Sequence, residues 1–320
     1  MRPGGNTSYG IGLRQGSPRP LYLVSRNGFC TIGRVAGFFR SLRQFWQTRS
    51  IRFSRMTMLV SELRPDSCLV AEVRPSPNHS ERKGNALPDM IVLHYTGTRD
   101  NEAAIRHLCS PASDVSAHYV VLQDGHIVQL VAESRRAWHA GVSWWAGEAD
   151  VNSHSIGIEI ANPGHENGYP DFPKRQIAAV TTLCRSIATR HHIPADRVLA
   201  HSDVAPARKV DPGEKFPWKR LAESGIGLWV NPAPISSNGP IYVLGETSPA
   251  IEEVQRLLAR LGYNVTATGY LDGNTRDAVA AFQRHFRPAR VDGVVDVSTT
   301  ATLHTLLAKR DALHQSVETS

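Results

Sequence analysis

A short apolar run that ends in polar residues is the strongest indication of the fold. The letters MIVL, residues 90–93, are followed directly by His94, Tyr95 and Thr96. An apolar run of this length is typical of a buried central strand. We therefore expect a sheet whose central strand carries polar side chains at one end.

Strand-like and helix-like patterns are mixed through the next hundred residues. Two strand-like runs flank Asp124-Gly125, a pair typical of a hairpin turn. The run HSIGIEIAN predicts a further strand, and the segments 99–110 and 174–192 show helical spacing of apolar residues. The predicted fold class is α/β, with a mixed central β-sheet flanked by helices, over residues 61–230.

The last third of the chain has a different pattern. The stretch NPAPISSNGP is rich in Pro, Asn and Ser and predicts a linker, 231–244. Ser248-Pro249 is a helix start signal, and Gly262 is a stop. Two later segments each open with Asp-Gly, about twenty residues apart. We expect a small all-α three-helix domain over 245–310, followed by a tail, 311–320.

The charge of the chain is unevenly distributed. The net charge is +7, but residues 1–60 hold ten Arg and no acidic residue, which leaves 26 basic and 29 acidic residues elsewhere, a net of −3. A nucleic-acid footprint across the folded part is therefore not expected. The basic segment 1–60 is expected to be disordered. It could be a nucleic-acid or lipid-binding arm, a targeting segment, or sequence upstream of a true start at Met56 or Met58. No apolar run is long enough to predict a transmembrane helix.

The stretch AHSDVAPARKVDPG concentrates chemically useful side chains in a segment without periodicity. Catalytic zinc sites take three protein ligands, commonly His and carboxylate, and leave a position for water. His201 and Asp211 could supply two of them and His94 the third. At this level Asp203 could replace Asp211, or could cap a turn. Lys209 is two residues from Asp211, so both side chains project from the same side of an extended segment.

Five separated motifs carry a family resemblance: IVLHYTGT, SAHYVVLQDGHIVQLV, RRAWHAG, HSIGIEIAN and AHSDVAPARKVDPG. In this order they resemble the zinc-dependent N-acetylmuramoyl-L-alanine amidases of the amidase-2 group, relatives of phage amidase lysozymes and animal peptidoglycan-recognition proteins. The resemblance covers roughly residues 66–222. Residues 245–308 resemble the three-helix peptidoglycan-binding domain, through VQRLLARLGY, GYLDGNTRDAVAAFQ and VDGVVDVSTTATL.

The resemblance implies roles for particular residues. It implies one Zn²⁺ per chain, bound by His94, His201 and Asp211. It places the catalytic carboxylate at Glu159 and the catalytic lysine at Lys209. The implied reaction is hydrolysis of the amide between N-acetylmuramic acid and L-alanine, in cell-wall remodelling or recycling. A non-catalytic peptidoglycan-binding recognition protein is the alternative, although such relatives usually lose a zinc ligand.

Further residues near these motifs are candidates for weaker roles. Tyr95, Trp138, His139 and Asn162 are expected to bind substrate, and His118 to support the sheet or a neighbouring ligand through a hydrogen bond. The expected partner is peptidoglycan or a muropeptide, with no nucleic acid, and a monomer is favoured. The binding module favours the cell envelope or periplasm. The lack of a clear signal peptide favours the alternative, the cytoplasm.

Overall fold

The structure is a computed structural model, and it describes residues 63–318. The predicted basic segment 1–60 lies outside the described residues. Within 63–318, no helix has the length and apolar character needed to cross a membrane.

Ten short strands form three sheets within the described residues. They are β1 (Glu72–Val73), β2 (His79–Ser80), β3 (Met90–Tyr95), β4 (Tyr119–Val121), β5 (Ile127–Gln129), β6 (Arg136–Ala137), β7 (Ser155–Ile160), β8 (Val198–Ala200), β9 (Ile241–Tyr242) and β10 (Val295–Asp296). The central sheet has the order β1-β5-β4-β7-β3-β8, with β4 and β5 antiparallel and its other pairs parallel. The predicted mixed sheet is confirmed, and the hairpin turn lies between β4 and β5.

Eight α-helices accompany these strands in the same part of the chain. They are α1 (Asn101–Leu108), α2 (Val151–His154), α3 (Lys174–His191), α4 (His201–Val204), α5 (Trp218–Glu223), α6 (Pro249–Leu261), α7 (Gly273–Phe286) and α8 (Val297–Glu318). Short 3₁₀ turns occur at Lys83–Asn85, His165–Asn167 and Ala195–Arg197.

The two faces of the central sheet pack against different helices. Ile91 and Leu93 of β3 belong to a buried cluster that includes the apolar face of α3. Met90 and Val92, which point to the opposite face, belong to a second cluster that includes α6, α7 and α8. By the same alternation His94 lies on the face of Val92. The C-terminal helices and the metal-ligand candidate therefore share one side of the sheet.

The C-terminal module contains the three predicted helices. The hydroxyl of Ser248 accepts a hydrogen bond from the backbone N–H of Ala250 at the start of α6, and Gly262 ends the helix. A two-residue antiparallel ladder between β9 and β10 adds to the helices. β9 falls inside the predicted linker 231–244, and α8 runs to Glu318 through most of the predicted tail. A ladder of two residues per strand is too short to be predicted from the spacing of apolar residues.

Two buried glutamines reveal the internal duplication of the module. The side-chain oxygen of Gln255 accepts a hydrogen bond from the N–H of Gly269, and that of Gln283 accepts one from the N–H of Gly293. Each glutamine thereby closes the turn before the next helix. The two turns are 24 residues apart, so the repeat exists in a different register from that of the Asp-Gly pairs.

Candidate active site

Adjacent parallel strands bring the predicted catalytic residues to one edge of the sheet. His94 near the end of β3 and Glu159 on β7 are register partners. His201 is the first residue of α4, directly after β8, which pairs with the other side of β3. Because the carboxyl ends of parallel strands meet at one edge, three residues distant in sequence become neighbours.

The three predicted metal ligands converge on one point. Nδ1 of His94 lies 2.8 Å from Nδ1 of His201. Oδ2 of Asp211 lies 3.0 Å from Nδ1 of His201 and 3.3 Å from Nδ1 of His94. All three residues are buried. They form the group of three potential ligands found among the described residues, and Asp203, the alternative considered from the sequence, is not in it.

A chain of hydrogen bonds fixes which nitrogen of His94 faces this point. The hydroxyl of Ser155 donates to the backbone oxygen of Val151 over 2.6 Å, so its oxygen is free to accept from Nε2–H of His139 over 3.1 Å. In the neutral imidazole Nδ1 of His139 is then an acceptor, and it receives Nε2–H of His94 over 3.0 Å. His94 consequently presents an unprotonated Nδ1.

His201 is fixed in the same way by a simpler contact. Its Nε2–H donates to the backbone oxygen of Ala140 over 3.2 Å, which leaves Nδ1 of a neutral ring with a lone pair. Two imidazole lone pairs and a carboxylate oxygen therefore face one another inside the protein. Such an arrangement of acceptors is unfavourable by itself and suits a bound cation.

The protonation states of two of these residues favour metal binding. Burial lowers the pKa of His94 to about 4, aided by the nearby His201, so its imidazole is neutral at neutral pH. Burial alone would raise the pKa of Asp211, but His201 and His94 more than offset it and lower the pKa below its usual range. A neutral imidazole and an ionised carboxylate are the forms that coordinate divalent metals.

Glu159 places an unpaired carboxylate beside the three ligands. Among the described residues its Oε2 is buried and has no hydrogen-bond partner. Burial raises the pKa of Glu159 well above its usual range, and the charge of Asp211 adds to this increase. Its carboxyl group lines the same cleft as the ligands. A carboxyl group with a raised pKa in such a position is suited to exchange protons with a reactant.

Lys209 brings a positive charge to the same cleft. The residue is half-buried and is separated from Asp211 by Val210. Its charge acts to lower the pKa values of both His94 and Glu159, although burial has the larger effect on each. The structure thus brings all five of the predicted metal and catalytic residues to one cleft.

The cleft has a volume of about 590 Å³, within the range of sites for small ligands. Tyr95 and Trp138, two of the predicted substrate contacts, line it. The hydroxyl of Tyr95 contacts Nδ1 of His165 over 3.0 Å, and the indole N–H of Trp138 donates to the Ser80 hydroxyl over 3.5 Å. Both aromatic side chains are therefore oriented by protein partners.

Two predicted substrate contacts have other partners in the structure. Both ring nitrogens of His139 are engaged by His94 and Ser155, so this side chain lies behind a ligand, although its ring reaches the cleft. The amide of Asn162 is buried, donates to the backbone oxygen of Pro170 and accepts from the N–H of Gly164. Its amide therefore shapes the loop after β7.

His118 supports the sheet. Its Nδ1 accepts a hydrogen bond from the N–H of Gly157 over 3.0 Å, which leaves Nε2–H to donate to the backbone oxygen of Arg135 over 3.0 Å. Burial lowers its pKa to about 3. Its ring packs edge-on against His139 at 5.7 Å between centroids. Its hydrogen bonds reach no ligand in the described part of the chain.

Gly157 was not singled out from the sequence, yet it determines the position of His139. A Cβ atom at Gly157 would overlap the His139 ring. A glycine within a strand of apolar residues indicates a close approach by another group, and this was the available signal.

A mixed β-sheet flanked by helices, with a His-His-Asp cluster beside an unpaired glutamate, is typical of a metal-dependent hydrolase. Comparison with known proteins agrees with this class. Residues 83–214 match the family described as N-acetylmuramoyl-L-alanine amidase, and residues 247–303 match the family described as putative peptidoglycan binding domain.

Curated relatives and solved structures give the same result. N-acetylmuramoyl-L-alanine amidase AmiD of Escherichia coli K12 is 37% identical over 235 residues, which cover 69% of this chain and 82% of AmiD. The 1,6-anhydro-N-acetylmuramyl-L-alanine amidase AmpD of Salmonella typhimurium SL1344 is 36% identical over 181 residues, which cover 49% of this chain and 92% of AmpD.

A solved complex of E. coli AmiD with the substrate anhydro-N-acetylmuramic acid-L-Ala-D-gamma-Glu-L-Lys has a TM-score of 0.60 at 34% identity, covering 72% of this chain and 98% of the chain in that structure. AMPDH3 of Pseudomonas aeruginosa, in complex with anhydromuramic pentapeptide, has a TM-score of 0.58 at 33% identity. The match covers 74% of this chain and 96% of the chain in that structure. The chain belongs to the N-acetylmuramoyl-L-alanine amidase family. The predicted family, fold class and enzyme activity are confirmed.

Proposed function

We propose that His94, His201 and Asp211 bind one zinc ion per chain and that this site hydrolyses the amide between N-acetylmuramic acid and L-alanine. The observation that supports the zinc assignment is the convergence of three lone-pair-bearing atoms, with the other ring nitrogen of each histidine already hydrogen-bonded to the protein. Neutral imidazole and carboxylate groups are common zinc ligands. Catalytic zinc sites use three such protein ligands and leave a position for water.

Zinc bound by these residues would act as a Lewis acid, which lowers the pKa of water and polarises a carbonyl oxygen. Glu159 accepts the proton of the attacking water and transfers it to the amine of L-alanine as the amide bond breaks. Its raised pKa suits both steps, because the group must bind the proton and then release it.

Lys209 stabilises the negative charge that develops on the carbonyl oxygen. An ammonium group in a partly buried cleft interacts with such charge more strongly than it would in water. Lys209 lines the same cleft as the ligands, and an ammonium group has no lone pair with which to bind a metal. Lys209 therefore contributes to the transition state and not to metal binding.

The substrate is proposed to be a muropeptide or the stem-bearing end of a glycan strand. AmiD and AMPDH3 are solved with anhydro-muramyl peptides, and the cleft here has a volume suited to a ligand of that kind. We assign Tyr95 and Trp138 as substrate contacts, since both line the cleft. The module matched over 247–303 binds the polymer.

The cell envelope is the proposed site of action, because a module that binds peptidoglycan meets its polymer there. We also propose that the enzyme acts as a monomer, since the five candidate metal and catalytic residues all come from one chain.

Product analysis tests the proposed function. Purified enzyme is incubated with intact sacculi and with soluble anhydro-muropeptides, with and without chelator, and the products are identified by mass spectrometry. Stem peptides that begin at L-alanine, released only when metal is present, are expected. Binding to sacculi without such products would instead indicate a recognition protein. Faster cleavage of soluble fragments than of sacculi would favour recycling over remodelling.

A further inference from the structure

Asp203 is a fully buried carboxylate whose partners come largely from the C-terminal module. Its Oδ1 accepts the hydroxyl hydrogen of Tyr263 over 2.6 Å. Its Oδ2 contacts Nδ1 of His285 over 2.6 Å and accepts the backbone N–H of Ala200 over 2.8 Å. The carboxylate side chain is 0% exposed. Burial of a carboxylate without partners is strongly unfavourable, so these contacts are required at this position.

The two partners from the module are themselves held in place by aromatic contacts. The ring of His285 lies between those of Trp218 and Phe286, with centroids 3.7 Å and 3.8 Å away. The ring of Tyr263 meets that of Trp145 edge-on at 5.0 Å. Trp145 and Trp218 precede the C-terminal module in sequence. The contact with Asp203 is thus part of a packed interface.

Asp203 lies in the short helix that carries a predicted metal ligand. Helix α4 begins at His201, and the hydrogen bond from Ala200 to Asp203 closes its first turn. The N–H of Ser202 in the same helix donates to the backbone oxygen of Asp211 over 3.0 Å. Movement of α4 would therefore displace His201 and the backbone of Asp211 together.

We propose that Tyr263 and His285 are positioning residues of the amidase site. They hold Asp203, and through it helix α4, so that the peptidoglycan-binding module also completes the geometry of the catalytic centre. The proposal rests on the proposed function in one respect, the assignment of His201 and Asp211 as zinc ligands. It differs from a simple tether, in which the module would concentrate the enzyme on the polymer and leave hydrolysis of small fragments unaffected.

Three variants of the full-length chain separate the two roles. Tyr263→Phe removes only the hydroxyl group. His285→Phe keeps an aromatic ring between Trp218 and Phe286 but removes the nitrogen that contacts Asp203. Tyr270→Phe is the matched control, since it removes a hydroxyl from a half-exposed tyrosine of the same module.

We expect kcat on soluble anhydro-muropeptide to fall about tenfold in Tyr263→Phe and His285→Phe, with KM changed less than twofold, because a ligand displaced by a fraction of an ångström fits the transition state poorly. The dissociation constant for zinc should rise about tenfold, as is common when groups that orient ligands are lost. Sacculus binding and the Tyr270→Phe control should match the wild type. His285→Asn, which keeps an N–H near the position of Nδ1, should recover part of the lost kcat.

Hydrogen exchange of the amides of residues 200–204 in the metal-free chain gives a readout that does not depend on activity. Faster exchange in Tyr263→Phe and His285→Phe than in the wild type and control is expected. A lower unfolding midpoint with unchanged kcat, zinc affinity and exchange would overturn the proposal. Absence of stem-peptide release by the wild type would refute the proposed function instead, and zinc affinity and exchange would still decide the positioning role.

Discussion

Nε2 of His94 lies 3.0 Å from Nδ1 of His139, and this hydrogen bond determines which nitrogen of His94 faces Asp211. The bond continues to Ser155, so the orientation of a metal ligand is set by groups behind it in the core. Hydrogen bonds of this kind fix the tautomer and the ring position of ligating histidines.

Replacement of His139 by Phe should weaken zinc binding by about 10- to 100-fold, because the ring volume is kept while the acceptor for His94 is lost. Competition with a chromophoric zinc chelator measures the effect. His126→Phe, in the half-exposed hairpin turn between β4 and β5, is the control. Equal zinc affinity in His139→Phe and the wild type would show that the contact has no part in binding.

Gly157→Ala should destabilise the protein by about 1–3 kcal/mol, since the added methyl group overlaps the His139 ring and a packed interior does not yield easily. Gly273→Ala is the matched control, because its Cβ would meet no atom within 4 Å. Denaturant unfolding of both variants measures the difference. If Gly157→Ala were as stable as Gly273→Ala, the close packing of His139 on β7 would be incorrect.

Glu159→Gln should reduce kcat by about 10²- to 10⁴-fold, because the amide keeps the shape of the side chain but cannot accept the proton of water. Zinc content should remain unchanged, since Glu159 is not a ligand. Steady-state kinetics on a soluble muropeptide, with Glu102→Gln as an exposed control, provide the measurement. A near-normal kcat in Glu159→Gln would assign proton transfer to another group.

Stability in acid should depend on Glu133, a buried carboxylate. Burial alone would raise its pKa, but hydrogen bonds from His191, Arg190 and Tyr119 more than offset this and lower the pKa to about 2. The depressed pKa stabilises the fold above about pH 4.5, and this contribution is lost as the pH falls towards 2.

Glu133→Gln should therefore cost about 3 kcal/mol at neutral pH, and the difference from the wild type should shrink between pH 4.5 and 2. Urea unfolding at a series of pH values measures it, with the exposed Glu223→Gln as control. A difference that does not vary with pH would mean that the ion pairs of Glu133 do not contribute in this way.

The sequence predicted the part of the site that depends on strand ends. His94 follows an apolar run of strand length and Glu159 lies near the end of another predicted strand, and parallel strands bring such ends together whatever the intervening chain does. The choice between Asp203 and Asp211 could not be made from spacing. The choice depends on Tyr263 and His285, which contact the carboxylate of Asp203. These two residues lie some sixty and eighty residues further along the chain.

Roles that depend on side-chain direction were harder to predict. His139 was expected to contact substrate because it belongs to one of the motifs that carry the family resemblance, but its two nitrogens are engaged inside the protein. The register of the helical repeat depends on the buried amides of Gln255 and Gln283, which accept hydrogen bonds from the turns before the next helices. The spacing of residues along a helix does not show that a glutamine makes such a bond. Local sequence patterns thus predict helices and strands, whereas the roles of individual side chains depend on polar contacts between residues that are distant in sequence.

Zinc content is the most direct test of the site. Protein purified without added metal and then reconstituted with zinc should contain one zinc ion per chain by inductively coupled plasma mass spectrometry. His94→Ala, His201→Ala and Asp211→Asn should each lose it, while Glu159→Gln should retain it. One zinc ion in the wild type and none in the three ligand variants is the result that we predict. Zinc retained in the three ligand variants, or absent from the wild type, would contradict the assignment of the metal centre.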